Sequence, residues 1–241
     1  MTSRPTVAVD CLPESVARHR SSDAIVAVDV IRATTTAVTG LVAGRRCFPV
    51  ASLEDAVIVS RNLENPLLVG EVNGDMPGHF EITNSPAQLA WRSDVHRPMI
   101  LLSTSGTRLI CAAAGTGARV YAACLRNVSA QVERLAGRYR SVSVIGAGSR
   151  GEFRPEDQLC CARVAAGLID AGYEPADEET AATVERWRDA PTESIVGGAS
   201  AEYLRRTGQL HDLDFILAHV DDVGDCFVLE GEELVAAAND A

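Results

Sequence analysis

The chain has 241 residues, of which 46% are hydrophobic and 23% are charged, a composition typical of a folded globular protein and not of a disordered one. Its formal net charge is −11, and its 22 basic residues are all arginine, which excludes a Schiff-base lysine and a Walker-type lysine. No apolar run reaches the roughly 20 residues of a membrane helix, and we expect neither a membrane span nor a signal peptide.

The cysteines indicate the cellular location, and the charge distribution indicates the class of partner. The seven cysteines are odd in number and have no C-x-x-C spacing, which argues against a disulfide framework and predicts a reducing, cytoplasmic location. Residues 1–171 hold 18 arginines and 16 acids, whereas residues 172–241 hold 4 arginines and 17 acids. Because nucleic acids are bound by clustered basic residues, we expect a small-molecule substrate and no nucleic-acid partner. A homodimer is the expected oligomer on general grounds.

Short apolar runs alternate with helical patterns along the chain, which is typical of an α/β fold. The predicted strands are 5–9, 24–30, 46–51, 67–71, 98–103, 118–123, 141–146, 213–218 and 226–230. The predicted helices lie at about 34–43, 52–62, 85–92, 106–115, 127–138, 156–171, 178–190 and 199–207. The near-continuous Val, Ile and Leu runs predict strands buried on both faces, in a three-layer α/β/α architecture with a mostly parallel or mixed sheet. We expect one domain over residues 1–241, with a looser polar insertion at 172–198.

Two parts of the chain look alike. Residues 24–56 and residues 99–130 each read as a strand, a turn rich in hydroxyl residues, a helix and a second strand. Either all β-α-β units share this look, or the chain contains two pseudo-repeats. In open α/β sheets the functional residues lie at the carboxyl ends of strands, so the turns of these units are the first candidates for a site.

The first candidate turn is D-V-I-R-A-T-T-T at 29–36. Three threonines at a helix start offer caps and free N–H groups that can hold an anion, and the guanidinium of Arg32 can bind a phosphate or a carboxylate. Asp29 ends an apolar strand, where packing gives no reason for an acid. It is therefore either a helix cap or a functional carboxylate.

Two further turns carry related chemistry. Glu71 ends the apolar run L-L-V-G-E, where a buried carboxylate needs a positive partner. Asn84 and Ser85 precede a proline, a helix-start pattern that explains both residues as caps. The turn S-T-S-G-T-R at 103–108 places Gly106 among hydroxyl residues, so that the backbone can approach a ligand closely.

The fourth turn begins with G-A-G-S-R-G at 146–151, which matches the G-x-G-x-x-G pattern of dinucleotide-binding proteins. In those proteins the helix begins at the second glycine, whereas here Pro155 and the acids behind it indicate a later start, which disfavours a nicotinamide cofactor. Glu156 and Asp157 either complement the dipole of this helix or join the acids of the other turns around a hard cation such as Mg²⁺.

With these turns assembled, the chain resembles the 2-phosphosulfolactate phosphatase family. The resemblance covers nearly the whole chain and depends chiefly on D-V-I-R-A-T-T-T at 29–36 and N-S-P at 84–86. It is supported by G-E at 70–71, T-S-G-T-R at 104–108, R-N at 126–127 and P-E-D at 155–157. The chain departs from the family pattern at Ser105, at residues 72–75 and at Thr83. These departures surround the expected pocket and are compatible with retained chemistry and an altered leaving group.

The resemblance implies an Mg²⁺-dependent phosphatase acting on a small phosphorylated acid or alcohol, such as 2-phosphosulfolactate. The expected catalytic residues are Asp29, Arg32 and Glu71, and the expected metal ligands are Asp29, Glu71, Glu156 and Asp157. Of the last two, Asp157 is the expected direct ligand because its side chain is shorter. The residues expected to bind substrate are Thr34, Thr35, Asn84, Ser85, Thr104, Ser105, Gly106, Thr107, Arg126 and Asn127. Either a metal-bound water or Asp29 itself would attack phosphorus.

Two other functions are compatible with parts of the pattern. A non-catalytic module would keep the anion-binding turns and lose turnover through its altered loops, and an assay of phosphate release tests that alternative. A nicotinamide oxidoreductase is supported only by the glycine pattern, and failure to bind NAD(P) would exclude it.

Overall fold

The computed structural model describes residues 4–238. Its strands are β1 (Thr6–Cys11), β2 (Ala24–Val28), β3 (Cys47–Val50), β4 (Leu67–Gly70), β5 (Met99–Leu102), β6 (Arg119–Ala123), β7 (Ser141–Gly146), β8 (Glu174–Pro175), β9 (Phe227–Glu230) and β10 (Glu233–Ala236). Its α-helices are α1 (Ala33–Val42), α2 (Leu53–Ser60), α3 (Pro86–Ala90), α4 (Gly106–Ala114), α5 (Val128–Leu135), α6 (Pro155–Asp170), α7 (Glu178–Trp187), α8 (Ala199–Arg206) and α9 (Leu210–Ala218). Within this range no helix is both long and apolar enough to cross a bilayer.

Several helices begin where the sequence supplies a side-chain acceptor for the free N–H groups of the first turn. Ser52 caps α2, Asp177 caps α7 and Ser85 caps α3, each accepting a hydrogen bond from the N–H three residues ahead. Pro86 and Pro155 occupy the first positions of α3 and α6, where a missing N–H costs nothing. These signals determine where the strand-to-helix turns end and so where their side chains point.

The sheet consists of two parallel blocks that run in opposite directions. β4, β5 and β3 form one block, and β6, β2, β7, β1 and β8 form the other. β10 and β9 lie between the blocks and pair antiparallel with each other, with β3 and with β6. Three antiparallel steps reverse the strand direction, so a flat sheet would direct the carboxyl ends of β2 and β5 to opposite edges.

The helices α1 and α4 connect the two blocks and lie between them. α1 leads from β2 to β3, and α4 leads in the opposite sense from β5 to β6. The two helices contact each other, and each packs on strands of both blocks. Ile25 of β2, Leu101 of β5 and Leu109 of α4 belong to one buried cluster. The sheet therefore curls around α1 and α4, which brings the carboxyl ends of β2 and β5 together at the amino ends of these helices.

The outer faces of the two blocks are covered separately. α5, α6 and α7 cover the larger block, where Val144 of β7 packs with Leu159 and Val164 of α6. α2 covers the smaller block, and its Val59 packs against Ile100 of β5. α8 and α9 pack on each other, and α9 also contacts α3. The result is the α/β architecture with a mixed, mostly parallel sheet and helices on both sides that the sequence predicts, and the two predicted β-α-β units are the two that cross between the blocks.

One predicted strand is wrong. Residues 213–218 belong to the helix α9, not to a strand. The run L-D-F-I-L-A is short and apolar, and such a run does not distinguish a strand from one buried side of a helix. In the structure Leu213 and Ile216, three residues apart, are buried, whereas Asp214 is exposed, which is the helical period.

The segment 172–198 is more regular than the predicted loose insertion, since it contains β8 and α7. Thr180 of α7 is buried, and its hydroxyl accepts a hydrogen bond of 3.0 Å from the backbone N–H of Val9 in β1. The indole N–H of Trp187 donates to the amide oxygen of Gln158 in α6 at 2.7 Å. Buried polar contacts of this kind tie α7 to the sheet and to α6. β8 and β10 are short strands that the sequence prediction missed.

Gly70 ends β4 with a φ of 153°, and a Cβ built on it would lie 2.0 Å from the carbonyl oxygen of Leu102 in β5. We expect Gly70→Ala to lower the free energy of unfolding by about 3 kcal/mol or more, because strain would add to a clash with a buried strand. Gly44→Ala is the matched control: its φ is also positive, at 84°, but nothing lies within 4 Å of a Cβ, so about 1 kcal/mol is expected. Urea denaturation compares the two, and equal losses would contradict the steric explanation.

Candidate active site

A cleft of about 410 Å³ opens where α1 and α4 begin. The predicted site residues that line it are Asp29, Arg32, Glu71, Asn84, Thr104, Ser105, Glu156 and Asp157. They follow β2, β4 and β5 or stand at the starts of α3, α4 and α6. The structure thus brings residues from four separate turns of the chain into one concave site.

Asp29 lies where the first residues of α1 and α4 meet. A Cβ at Gly106 would come within 2.2 Å of Asp29 Oδ2, so the absence of a side chain at Gly106 makes room for this carboxylate. Burial raises the pKa of Asp29 from its ordinary 3.8 to about 7, and the negative charges of Glu71 and Glu156 add to the shift. The N–H of Ala33 and the charge of Arg32 oppose it. Asp29 is a carboxylate that the fold buries without full compensation.

Asp157 connects two of the turns that form the cleft. Its Oδ1 accepts a hydrogen bond of 2.9 Å from the N–H of Val30, and its Oδ2 accepts one of 3.0 Å from the N–H of Gly148. Burial, together with the charges of Asp29 and Glu156, nevertheless holds its pKa well above the usual range. Because each oxygen is committed to a backbone donor, Asp157 is suited to fixing the β2–α1 turn against the β7–α6 loop.

Glu156 presents the opposite situation. It is 1% exposed, and neither of its carboxylate oxygens has a hydrogen-bond partner of normal geometry among the described residues. Burial raises its pKa, opposed by the hydroxyl of Ser200, which lies outside that geometry, and by the charge of Arg154. Its Oε2 would be 3.3 Å from a Cβ at Gly198, which places it against the start of α8. A buried carboxylate without donors is costly unless it is protonated or meets a cation.

Glu71 organises the loop behind it. Its Oε1 accepts from the N–H of Thr104 at 2.7 Å, and its Oε2 accepts from the Thr104 hydroxyl at 2.8 Å and from the N–H of Gly74 at 2.6 Å. The carboxylate therefore joins the end of β4 to the start of α4 and orders the turn at 72–75. These bonds favour a structural role for Glu71 over the predicted role of metal ligand.

The acids of the cleft can be tested against the predicted Mg²⁺. Between residues 4 and 238, no three His, Cys, Asp or Glu side chains converge into a complete set of ligands. Mg²⁺ does not need such a set, because it binds through one or two carboxylates and keeps water or substrate oxygens in its remaining positions. The unpartnered oxygens of Glu156 and the buried carboxylate of Asp29 fit that requirement. Asp157, the predicted direct ligand, fits it less well because backbone donors occupy it.

One nitrogen of the Arg32 guanidinium group makes the hydrogen bonds that hold the side chain in place. Its Nη1 donates to Asp212 Oδ2 and to Gln209 Oε1, both at 2.5 Å. Asp212 is fully buried and also accepts from the hydroxyl of Ser85 at 2.5 Å and the N–H of Ala87 at 3.2 Å. The Nε and Nη2 of Arg32 make no hydrogen bond to the described part of the chain, and the residue lines the cleft. Two guanidinium nitrogens are thus left for a ligand in a fixed orientation.

The threonine hydroxyls that were predicted to bind phosphate form hydrogen bonds with the backbone instead. Thr34 Oγ1 donates to the carbonyl of Asp29 and accepts from the N–H of the same residue, both at 2.8 Å. Thr35 Oγ1 donates to the carbonyl of Val30, and Thr107 Oγ1 accepts from the N–H of Ser103. Hydroxyl side chains at helix starts commonly bond locally in this way. All three are buried outside the lining of the cleft, and the structure assigns them to closing the turns.

Arg126 and Asn127 also lie outside the cleft lining. Arg126 donates from Nε and Nη2 to the carboxylate of Asp222, at 2.9 and 2.7 Å, and from Nη1 to the hydroxyl of Thr39. Asn127 accepts from the N–H of Cys124 at 3.0 Å. Both residues stabilise the turn after β6, and their predicted contact with substrate has no support in this geometry.

The remaining predicted residues divide between the cleft and its support. Ser105 makes no side-chain cap at α4, so its hydroxyl is free to face the cleft. The Oδ1 of Asn84 is buried and has no hydrogen-bond partner among residues 4–238, so it is a free acceptor at the wall. Ser85 caps α3 and binds Asp212, so it supports Arg32 from behind.

Sequence reasoning missed one whole wall of the cleft. Ser200, Tyr203 and Arg206 of α8 line it, as do Arg150 and Arg154 before α6. The sequence predicts a helix at 199–207 but offers no motif there that marks it as part of a site. The hydroxyl of Tyr203 donates to the carbonyl of Gly74 at 2.7 Å, so this wall also holds the turn at 72–75.

The glycine pattern at 146–151 forms no dinucleotide fingerprint. Ser149 and Glu152 exchange backbone hydrogen bonds in a tight turn, and α6 begins only at Pro155. A Cβ at Gly148 would lie 2.5 Å from the carbonyl oxygen of Glu152, so this glycine is required by the turn itself. The helix does not start at the second glycine, which the fingerprint requires.

Comparison with known proteins points to one family. A family model described as 2-phosphosulpholactate phosphatase matches residues 10–223. The chain is 36% identical over 160 residues to a probable 2-phosphosulfolactate phosphatase of Pseudothermotoga lettingae, with 66% of this chain and 67% of the relative covered. It is 30% identical over 205 residues to a 2-phosphosulfolactate phosphatase of Methanothermobacter thermautotrophicus, with 84% and 85% covered. A probable 2-phosphosulfolactate phosphatase of Thermus thermophilus is 33% identical over 198 residues, with 80% and 82% covered.

Asp29→Asn is expected to stabilise the folded protein above neutral pH. With a folded-state pKa of about 7 against an ordinary 3.8, Asp29 binds more protons in the folded chain between these values. Its contribution to stability is therefore present below about pH 4, is lost as the pH rises to about 7, and stays lost above. The Asn variant lacks this titration and should exceed the wild type by about 1–3 kcal/mol at pH 8.

Urea unfolding in EDTA between pH 4 and 8 measures this difference. Asp189→Asn is the control, since that side chain is 94% exposed and should leave the pH profile of the wild type unchanged. An Asp29→Asn protein less stable than the wild type at pH 8 would show that the carboxylate is compensated in the fold.

Proposed function

The chain belongs to the 2-phosphosulfolactate phosphatase family, and on that premise we propose that it hydrolyses the phosphate ester of a small phosphorylated acid, such as 2-phosphosulfolactate, with Mg²⁺ as cofactor. The observation that carries the proposal is the pairing, in one cleft, of buried acids with the fixed and partly free guanidinium of Arg32. An anion-binding group beside carboxylates that lack a cation is the arrangement that metal-assisted phosphoryl transfer requires.

Arg32 binds the phosphoryl group in this proposal. Its free Nε and Nη2 match two oxygens of a phosphate, while Asp212 and Gln209 keep the guanidinium plane in place. The hydroxyl of Ser105, at the amino end of α4, faces the same space and can donate to a third oxygen. The helix start adds partial positive charge, so negative charge on the transferring group is stabilised from two sides.

Asp29 and Glu156 would hold Mg²⁺, with Asp157 fixing the loops that carry them. When bound, the ion supplies Lewis-acid stabilisation of the phosphoryl oxygens and relieves the repulsion between the acids. Hydrolysis breaks the bond between phosphorus and the ester oxygen, and the alcohol product takes up a proton. The attacking oxygen comes either from water, whose proton passes to the leaving alcohol, or from Asp29, in which case water then hydrolyses the aspartyl-phosphate and releases inorganic phosphate.

The enzyme should release phosphate from 2-phosphosulfolactate, and Asp29→Asn should lower kcat/KM at least about 100-fold while the protein remains folded. The measurement is inorganic phosphate release, with circular dichroism and the urea midpoint as controls for folding. Binding of substrate by the wild type without any release would favour the non-catalytic alternative. Normal activity of Asp29→Asn would remove Asp29 from the mechanism.

The two acids at the start of α6 should respond differently to substitution. Glu156→Gln should raise the Mg²⁺ concentration for half-maximal activity at least about 10-fold, because Glu156 has oxygens free for the ion. Asp157→Asn should chiefly lower stability, because its amide would face a backbone N–H that the carboxylate now accepts. Mg²⁺ titration of activity, with urea unfolding of both variants, compares them. Superimposable titration curves for wild type and Glu156→Gln would reject Glu156 as a ligand.

A further inference from the structure

Three arginines besides Arg32 line the cleft. Arg150 and Arg154 come from the loop before α6, and Arg206 comes from the last turn of α8. We name these three residues the arginine rim. The acids of the cleft are buried, whereas Arg150 and Arg206 are exposed at its mouth. The cleft therefore has an acidic interior and a basic entrance.

The charges of the arginine rim are largely unneutralised. Neither Arg150 nor Arg206 forms a hydrogen bond or ion pair with any other residue between 4 and 238. Arg154 donates from Nη1 to Glu152 at 2.9 Å, and its buried Nε has no partner in the part of the chain that the structure describes. In a chain of net charge −11, three guanidinium groups with spare donors on one cleft indicate a site for negative charge.

The α8 helix carries both a residue of the arginine rim and an ordinary surface arginine, which can be compared. Ser200, Tyr203 and Leu204 lie on the side that lines the cleft, and Arg206 extends that side. Arg205 is its direct neighbour in sequence, does not line the cleft, and pairs with Glu202 on the same helix. One helix thus carries two adjacent exposed arginines, of which Arg206 lines the cleft and Arg205 does not.

We propose that the arginine rim binds a second anionic group of the substrate, a carboxylate or a sulfonate attached near the phosphorylated carbon. This inference rests on the proposed function and deepens it, because it assigns the selection of phosphorylated acids to Arg150, Arg154 and Arg206. Guanidinium groups match the paired oxygens of both groups, and Arg32 is already oriented toward the phosphoryl position. A phosphate ester without the second anionic group would leave these donors unused.

Kinetics with a matched pair of substrates test the rim. 2-Phospholactate and isopropyl phosphate differ by one carboxylate, so their ratio of kcat/KM measures recognition of the second anion. We expect the wild type to prefer 2-phospholactate at least about 100-fold, and Arg206→Gln to reduce that ratio at least about 10-fold. Arg205→Gln, which removes the same charge one residue away, should leave the ratio within about twofold. If both variants lower the ratio to a similar extent, the arginines act only through their overall positive charge and do not bind the second anionic group.

A binding measurement decides the inference even if no substrate is turned over. Sulfolactate has the carboxylate and the sulfonate but no phosphate group, whereas inorganic phosphate has neither the carboxylate nor the sulfonate. We expect sulfolactate to raise the Tm of the wild type and of Arg205→Gln, and to raise that of Arg206→Gln and Arg150→Gln much less. An equal rise in Tm for all four proteins would overturn the proposed role of the arginine rim. If sulfolactate raises the Tm values as expected but the wild type releases no phosphate, the proposed catalytic function is contradicted instead.

Discussion

Three carboxyl groups, Asp29, Glu156 and Asp157, are buried together at the cleft; burial raises the pKa of each, and the charge of Glu156 raises the pKa values of the other two further. Burying like charges together costs free energy, and a fold keeps such an arrangement only where something else compensates it. The curled sheet, the contact of α1 with α4 and the backbone donors to Asp157 all serve to place these acids. In the proposed function a bound cation would supply the missing positive charge, so stability and function are opposed at this point of the molecule.

Much of the fold could be predicted from the sequence, because the signals were local. Continuous apolar runs ended by turns indicated most strands, and caps such as Ser52 and Ser85 marked helix starts. The strand predicted at 213–218 failed because a short apolar run fits either a strand or the buried side of a helix. The reversal of strand direction between the two blocks left no local trace, since it depends on the pairing of β9 and β10 with strands distant in sequence.

The lining of the cleft was predictable where an acid interrupts an apolar strand end, as at Asp29 and Glu71. It was less predictable where several polar residues compete for the same backbone groups. Thr34 and Thr35 satisfy nearby carbonyls, so a pattern that suggests an anion cradle also describes a closed turn. Asp212 could not be found at all, because its role depends on Arg32, 180 residues earlier in the chain. Whether an acid holds a metal or a backbone N–H is decided by three-dimensional donors that spacing does not reveal.

The reciprocal crossing of α1 and α4 has a consequence for how the chain can be divided. Each β-α-β unit begins in one block and ends in the other, so a cut between the units, after β4, separates β5 from β3 and β4, and separates β6 and β7 from β1 and β2. Cutting the chain between the units would leave both fragments with unpaired strand edges and an exposed apolar face. The two blocks therefore depend on each other, and the protein should unfold as one unit even though its sheet consists of two parallel blocks.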